Sequence, residues 1–550
     1  MNRNEVSRKR RFQVGFVAGL AAGIAASGIM LLLNVLWNGI SLPEVFGSAL
    51  TALMPPSSFN VLQHVIGGNA KHYFFYGILV GQCLVFALSG ALYTLRLSPK
   101  GQRLEWYQGL LLALILWLFV GLVLLPLTGA GIFGAQLTIG YGNSMLSLAV
   151  VGVVFGLVFV SVQNWLATRK QVAGDVHKTD KQERLRPGST EGVVSRRSLL
   201  KRGIIVAGIG LVGAGVWRFI TAGITNPTLP VSRLMQHFKS KIIPPPIPHY
   251  GVIHPVPFLS AEITPNDQYY LVSKNLFSDP TVDATKWSLT VDGQVEHPFT
   301  LTYQQVLALP MKKQYESMMC ISNEVGGEYM SNALWEGVPL VALLLRAGVK
   351  PGATKVVFHA ADDYSDSIHL SKAVEPTTLM AVHMNGVTLP QNHGFPARML
   401  VPGIYGIKHC KWLTRIEVVN YDYQGYWQQR GWSDPAPVRM TARIDTPLDG
   451  ATVPGNRITS IAGVAFSGNR GISEVDVSTD GGQTWQRATL KQPLSTLTWV
   501  LWELQWQPQP GNYLIAARAI DLEGNVQDPV VEPPLPDGSS GYHAINVTVA

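Results

Sequence analysis

Four apolar runs, near residues 12–36, 72–95, 106–127 and 143–167, constrain this chain more than any other feature. Crossing the hydrocarbon core of a bilayer takes about 20 apolar residues in a helix, and a helix satisfies its own backbone there. These runs lack the polar face that a buried helix of a soluble bundle keeps toward water. They predict a four-helix transmembrane region over residues 1–170. A fifth run, 203–224, reads as a further membrane helix or an internal signal anchor. Charged residues are only 14% of the 550, against about 25% in soluble domains, and the shortage falls between residues 12 and 168.

The formal charge of +8 and pI near 9.2 raise the question of nucleic acid. However, the basic residues cluster at Arg8–Arg11, Arg169–Lys170 and Arg196–Arg202, each beside an apolar run. That placement fits membrane topology and not a base-reading surface, so no nucleic-acid partner is expected. Short basic segments stay cytoplasmic. Arg8-Lys9-Arg10-Arg11, the Arg96–Arg103 connection and the 171–202 linker then share the inner side, and the charge-free 128–142 connection faces out. Five crossings put everything after about residue 230 outside a bacterial plasma membrane, with the N-terminus cytoplasmic.

Within the linker, Ser195-Arg196-Arg197-Ser198-Leu199-Leu200-Lys201 before the glycine-rich run resembles a twin-arginine export signal. Such a signal suits a domain that takes up a cofactor before crossing. Plain positive-inside anchoring is the other reading. His64 and His72 are the only histidines before residue 177, too few facing ligands for a haem relay between helices. No haem is expected, and the helical region reads as an anchor in lipid or a partner-docking module.

A stiff proline-rich passage, Ile243-Pro244-Pro245-Pro246-Ile247-Pro248, lies in the 225–254 linker. Beyond it, strand-like segments (Trp287–Gly293, Val356–Phe358, Ile416–Val419) alternate with short helices at Tyr303–Ala308 and Pro339–Ala347, predicting an α+β domain over 255–435. After residue 440 helical periodicity disappears. Turn signals at Asp449-Gly450, Gly468-Asn469, Asp480-Gly481-Gly482 and Glu523-Gly524-Asn525 predict a β-sandwich over 436–550, with Trp485, Trp502 and Trp506 as packing residues. Cys83 falls in an apolar run. Cys320 and Cys410 are left for the soluble part, as separate thiols or as a disulfide.

Two blocks carry a resemblance. The segment Met319-Cys320-Ile321-Ser322-Asn323-Glu324-Val325-Gly326-Gly327 resembles the metal-binding loop of bacterial membrane-attached members of the sulfite oxidase family. The second block runs Asn385-Gly386-Val387-Thr388-Leu389-Pro390, His393-Gly394-Phe395-Pro396-Ala397-Arg398, Val401-Pro402-Gly403-Ile404-Tyr405-Gly406 and His409-Cys410-Lys411-Trp412-Leu413. It resembles that family's longer cofactor signature. The resemblance spans roughly residues 255–550 and implies a molybdopterin-dependent oxidoreductase with an immunoglobulin-like dimerisation domain, hence a homodimer.

By that resemblance Cys320 ligates molybdenum, which suits a soft thiolate. His393, Arg398 and Lys411 offer an imidazole, a guanidinium fork and a point charge to a phosphate-bearing pterin. His409 and Cys410 fall where the family holds the pterin by a loop. Asn323, Asp362 (in preference to Asp363), Tyr270 and Lys274 complete the expected cofactor contacts, although Tyr269–Asn275 also reads as a strand interior. Cys320 and Arg398 are the expected catalytic groups.

Two positions depart from animal and plant sulfite oxidases. Asn323 is followed by Glu324 where they carry an arginine that helps hold sulfite, and Trp432 stands where the tyrosine after a Trp-Gln pair is expected. An acid turned into the pocket would repel a dianion. The expected reaction is oxygen-atom transfer with a small oxo-donor or oxo-acceptor and electrons exchanged with a separate cytochrome or quinone carrier. Sulfoxide reduction, as of oxidised methionine, is an alternative on the same cofactor. A cofactor-free adhesion or assembly protein is a second alternative, and it would tolerate loss of Cys320, Arg398 or Lys411.

Overall fold

A computed structural model describes residues 3–182, apart from 38, 57, 59–69, 97–103 and 138, and residues 253–550, apart from 276 and 277. The expected twin-arginine motif, fifth apolar run and proline-rich linker all lie outside the described residues. Two compact units divide the chain, the N-terminal helices forming one and residues from 279 onward the greater part of the other.

In the first unit, α1 (Arg3–Trp37), α2 (Ala70–Arg96), α3 (Trp106–Phe119) and α4 (Tyr141–Gln182) contain four segments long and apolar enough to cross a membrane: Arg8–Trp37, Tyr73–Arg96, Trp106–Leu127 and Tyr141–Leu166. These agree with the four runs. Helix α1 packs on α2 and α4, and α3 packs on α4. Small residues allow these helices to approach closely. Ala18, Ala22 and Ala26 are fully buried, and a Cβ on Gly109 would lie 2.6 Å from the Gly156 carbonyl oxygen. Beyond α3 the helix continues through a π-helical turn, Val120–Leu124, where the Phe133 ring packs on Gly121.

In the second unit the strands are β1 (Ser288–Gly293), β2 (Phe299–Thr302), β3 (Lys312–Met319), β4 (Met330–Pro339), β5 (Lys355–Ala360), β6 (Ser365–His369), β7 (Leu379–Met384), β8 (Val387–Thr388), β9 (Arg398–Leu400) and β10 (Leu413–Val419). They form two sheets, β2-β1-β10-β5-β6 and β3-β4-β7-β8, with β9 added against β7. The apolar faces of Leu289, Val291, Val356, Phe358, Ile416 and Val418 meet Leu340, Leu343, Leu344, Met380 and Val382 in one core. Short helices Tyr303–Leu307 and Leu340–Ala347 cover it. The first is closed by a capping box, Thr302 accepting from the Gln305 amide while the Gln305 side chain accepts from Thr302 N.

Residues 441–549 form an all-β sandwich. One sheet joins Thr441–Thr446, Thr459–Phe466, Val500–Trp506 and Thr489–Leu490. The other joins Ala451–Val453, His543–Val549, Gly511–Asp521, Ile472–Ser478 and Gln486–Arg487. Trp502 and Trp506 are buried in its core, whereas Trp485 lies half-buried against Tyr542 and Arg518. The expected fold class is therefore observed: apolar helices, then a mixed α+β domain, then a two-sheet sandwich. The sandwich also braces the preceding domain. Arg443 donates to the Gly327 carbonyl at 2.9 Å, and Ser539 donates to the Asn323 carbonyl at 2.7 Å.

Candidate functional site

The signature block first builds a scaffold. Asn385 and Gly386 both have positive φ, 49° and 78°, and join β7 to β8 as a two-residue hairpin of the kind Asn-Gly favours. The Asn385 side chain accepts from Leu334 N and donates to the Thr264 carbonyl and the Asn266 side chain, drawing the 264–266 segment onto the sheet. His393 uses that segment. Its Nε2 lies 2.9 Å from the Asn266 carbonyl oxygen, so Nε2 carries the ring hydrogen. Burial holds its pKa down to about 4, and the imidazole is neutral at physiological pH.

Over this scaffold lies a cavity enclosing roughly 800 Å³ of empty volume, part of it open to solvent. Cations line it. Arg398, on β9 and 4% exposed, donates Nη1 to the His393 carbonyl at 3.0 Å. Nη2 lies 3.2 Å from Met318 Sδ and 3.4 Å from the His409 carbonyl oxygen, and Nε has no partner. Among the described residues no carboxylate comes within ion-pairing distance of this guanidinium. Lys411 donates to the Asn392 carbonyl at 3.1 Å and lies over the Trp412 ring. Gly394, with φ 116°, lets these two side chains approach. A Cβ there would meet Lys411 Cβ at 3.0 Å and Arg398 Cβ at 3.1 Å.

The cavity also holds a thiol. Cys320 follows β3, its Sγ 3.1 Å from Ser322 Oγ. Burial pushes the thiol up, with the Ser322 hydrogen bond opposing. An unassisted thiolate nucleophile is therefore disfavoured, while a metal ion would displace the proton. Trp427 and Trp432, stacked with centroids 4.2 Å apart, also line the cavity, and Trp432 packs in one cluster with Met319 and Ile321, the neighbours of Cys320. Tyr270 lies beside Gly406, where a Cβ would come within 2.8 Å of its hydroxyl.

Nine expected site residues line this one cavity: Tyr270, Lys274, Cys320, Asp362, His393, Arg398, His409, Cys410 and Lys411. Tyr269–Asn275 is loop and not strand. Asp362 accepts from Asn275 at 3.0 Å and from Tyr364 N at 3.2 Å, tying this loop to the β5–β6 turn. Asn323 does not line the cavity. Its side chain accepts from Tyr329 N at 2.8 Å and closes the loop behind Cys320. Glu324 is exposed and lies off the cavity wall, so the repulsion expected of an inward acid does not arise. Cys320 and Cys410 are both free thiols.

Three groups were not expected. Tyr364 lines the cavity and donates to the Ile407 carbonyl at 2.6 Å. Lys408, 1% exposed, bridges Asp366 and Asp434 at 2.8 Å each. Glu316 lies buried behind Arg398 on β3. The one sequence signal for Glu316 is an acid within a strand, on the same face as Met318.

The cavity fits an anionic metal cofactor. Its buried, unpaired guanidinium needs a counter-charge, and its glycines leave space where a side chain would intrude. Among the described residues no three His, Cys, Asp or Glu side chains gather as a metal site, so a metal held by Cys320 requires a non-protein chelator.

Comparison with known proteins agrees. Residues 277–427 match the model of the oxidoreductase molybdopterin binding domain, and 437–532 that of the Mo-co oxidoreductase dimerisation domain. Mitochondrial sulfite oxidase of Macaca fascicularis is 33% identical over 331 residues, 51% of this chain and 60% of that one. Sulfite oxidase of Arabidopsis thaliana is 31% identical over 336 residues, 50% of this chain and 84% of that one. The sulfane dehydrogenase SoxCD of Paracoccus pantotrophus superposes at a TM-score of 0.46 with 23% identity, covering 58% of this chain and 90% of that chain. The chain spans about 60% of the length of the mammalian relatives. With both domain models matched in order and the plant relative covered over most of its length, the chain belongs to the sulfite oxidase family of molybdopterin-dependent oxidoreductases.

Proposed function

We propose that this chain is a membrane-anchored enzyme that transfers an oxygen atom to or from a small substrate, using a molybdenum–molybdopterin cofactor. The observation that carries it is one cavity lined by both a free, buried Cys320 thiol and the buried Arg398 guanidinium, which has no carboxylate partner among the described residues. When bound, the cofactor supplies the two-electron chemistry of oxygen transfer. Cys320 would ligate the metal. Arg398 and Lys411, with Lys274 at the rim, would hold the anionic part, and neutral His393 would offer its Nδ1 lone pair beside them. Tyr270, Asp362, His409 and Cys410 would shape the pterin bed, and Asn323 would hold the metal loop closed.

Four apolar helices and the alternation of basic segments support anchoring in a bacterial plasma membrane with residues from about 230 outside. The Arg196-Arg197 motif supports export of the folded domain. Electrons would pass to or from a separate carrier, a cytochrome or a quinone, and the dimerisation-type sandwich supports pairing of two copies with an immunoglobulin-like arrangement. Sulfoxide reduction is favoured as a second reading by the Trp427–Trp432 wall. A flat apolar surface beside Cys320 suits an uncharged organic oxide better than a compact dianion.

The test is a substrate panel on purified, molybdenum-loaded full chain in detergent, run oxidatively with sulfite and reductively with dialkyl sulfoxides and N-oxides under a reduced viologen. Turnover lost in Cys320→Ser is expected. Turnover unchanged in that variant contradicts the proposal.

A further inference from the structure

Close to Arg398, two buried polar atoms face each other without partners. Glu316 is 1% exposed. Its Oε2 accepts from Gln314 Nε2 at 2.8 Å, while Oε1 has no partner and lies 3.9 Å from His409 Nδ1, which also has none. His409 Nε2 sits 3.0 and 3.1 Å from the carbonyl oxygens of Val401 and Ile404. Carbonyls only accept, so Nε2 carries the ring hydrogen and Nδ1 is a lone pair. A carboxylate oxygen and an imidazole lone pair confronted in a dry interior repel each other, whereas a hydrogen on the carboxyl removes the repulsion and lets the pair close from 3.9 Å to hydrogen-bond distance.

The electrostatics of the pair agree with that geometry. Burial holds the His409 imidazole down to about 3, with Arg398 adding to the effect. Burial also pushes the Glu316 carboxyl up to about 8, against the Gln314 hydrogen bond and the charges of Arg398 and Lys372. Arg398 reaches it from β9, Lys372 from the short helix Leu370–Ala373, and the Tyr269 phenol from the cavity loop.

We propose that Glu316 is a positioning residue for the anionic cofactor: as a neutral acid it draws His409 Nδ1 into a hydrogen bond from Oε1, fixes His409 in the cavity wall, and leaves Arg398 without a counterion. This rests on the function proposed above. An ionised Glu316 would compete with the cofactor for Arg398. Protonation of Glu316 and binding of an anion at Arg398 therefore favour each other, and by linkage the coupling is reciprocal. Affinity for the cofactor falls as pH rises through the Glu316 pKa.

The experiment uses the full chain, expressed with the cofactor pathway intact and dialysed in detergent at pH 6.5 and pH 9.0. Retained molybdenum is read by metal analysis and retained pterin by fluorescence after oxidative release. Ionisation near pH 8 weakens retention about tenfold at pH 9.0 relative to pH 6.5. Glu316→Gln, whose amide accepts from Gln314 and donates to His409 but cannot ionise, retains cofactor equally at both pH values. Glu316→Leu, without a donor for His409, binds less cofactor at both.

Equal pH dependence in wild type and Glu316→Gln overturns the inference, as does full retention by Glu316→Leu. Wild-type protein free of molybdenum and pterin even at pH 6.5 overturns instead the function on which the inference rests.

Discussion

Replacing Lys408 by methionine isolates the buried ion network that holds the cofactor loop. Lys408 is 1% exposed and Asp366 fully buried, with Nζ 2.8 Å from Asp366 and 2.8 Å from Asp434. Methionine fills most of the lysine stem but leaves Asp366 with only the Ser367 amide and the Tyr364 hydroxyl. Removing one partner of a buried pair costs about 3–5 kcal/mol. At about 2–4 °C per kcal/mol for a domain of this size, melting drops by roughly 6–20 °C.

The pH dependence has a definite sign. Burial already raises the Asp366 pKa, with Lys408 the main opposing charge, and without Lys408 it rises further. An acid whose folded pKa is raised destabilises the fold above its unfolded pKa, about 3.9. The deficit is therefore largest near pH 7 and shrinks toward pH 4. Lys408→Met paired with Asp366→Asn removes both charges and recovers much of the loss. The assay is thermal melting of the full chain in detergent at pH 5 and pH 7.5. Equal melting of the single and double variants, or a deficit independent of pH, refutes the reasoning.

Other outcomes follow from the same geometry. Arg398→Met removes a buried charge that no carboxylate balances, so the fold melts at an unchanged or higher temperature while molybdenum content falls to trace; a large loss of stability would make Arg398 a structural residue. Gly394→Ala places a Cβ 3.0 Å from Lys411 Cβ at φ 116°, costing about 1–3 kcal/mol of strain and lowering molybdenum content; wild-type content and melting would show that the loop adapts.

The apolar spans were legible because lipid demands about 20 residues without charge, and the sandwich because its turn residues recur at short intervals. The signature residues were legible as a set. Asn385-Gly386 shows why, since a hairpin demanding two positive φ values leaves few residue choices. Asn323 was expected in the cofactor site and instead closes the loop behind it, because a side-chain amide satisfies a backbone N–H as readily as a ligand. Glu316 and Lys408 were missed for a common reason. Whether a charged side chain on a strand or loop turns inward depends on groups far away in sequence: Lys408 turns in to Asp366 and Asp434, and Glu316 turns in toward His409, which it faces at 3.9 Å. Glu324 shows the converse: its place beside Asn323 suggested an inward charge, and the tight turn from Cys320 to Asn323 carries it outward.

Molybdenum content of the full chain bears most directly on the central claim. Expressed with the cofactor pathway intact and purified in detergent, wild-type protein is expected to hold molybdenum and pterin in about equal amounts, near one per chain. Cys320→Ser should stay folded with the metal lost or its coordination spectrum altered. Folded wild-type protein carrying only trace molybdenum, or Cys320→Ser matching wild type in both metal content and spectrum, would contradict the account.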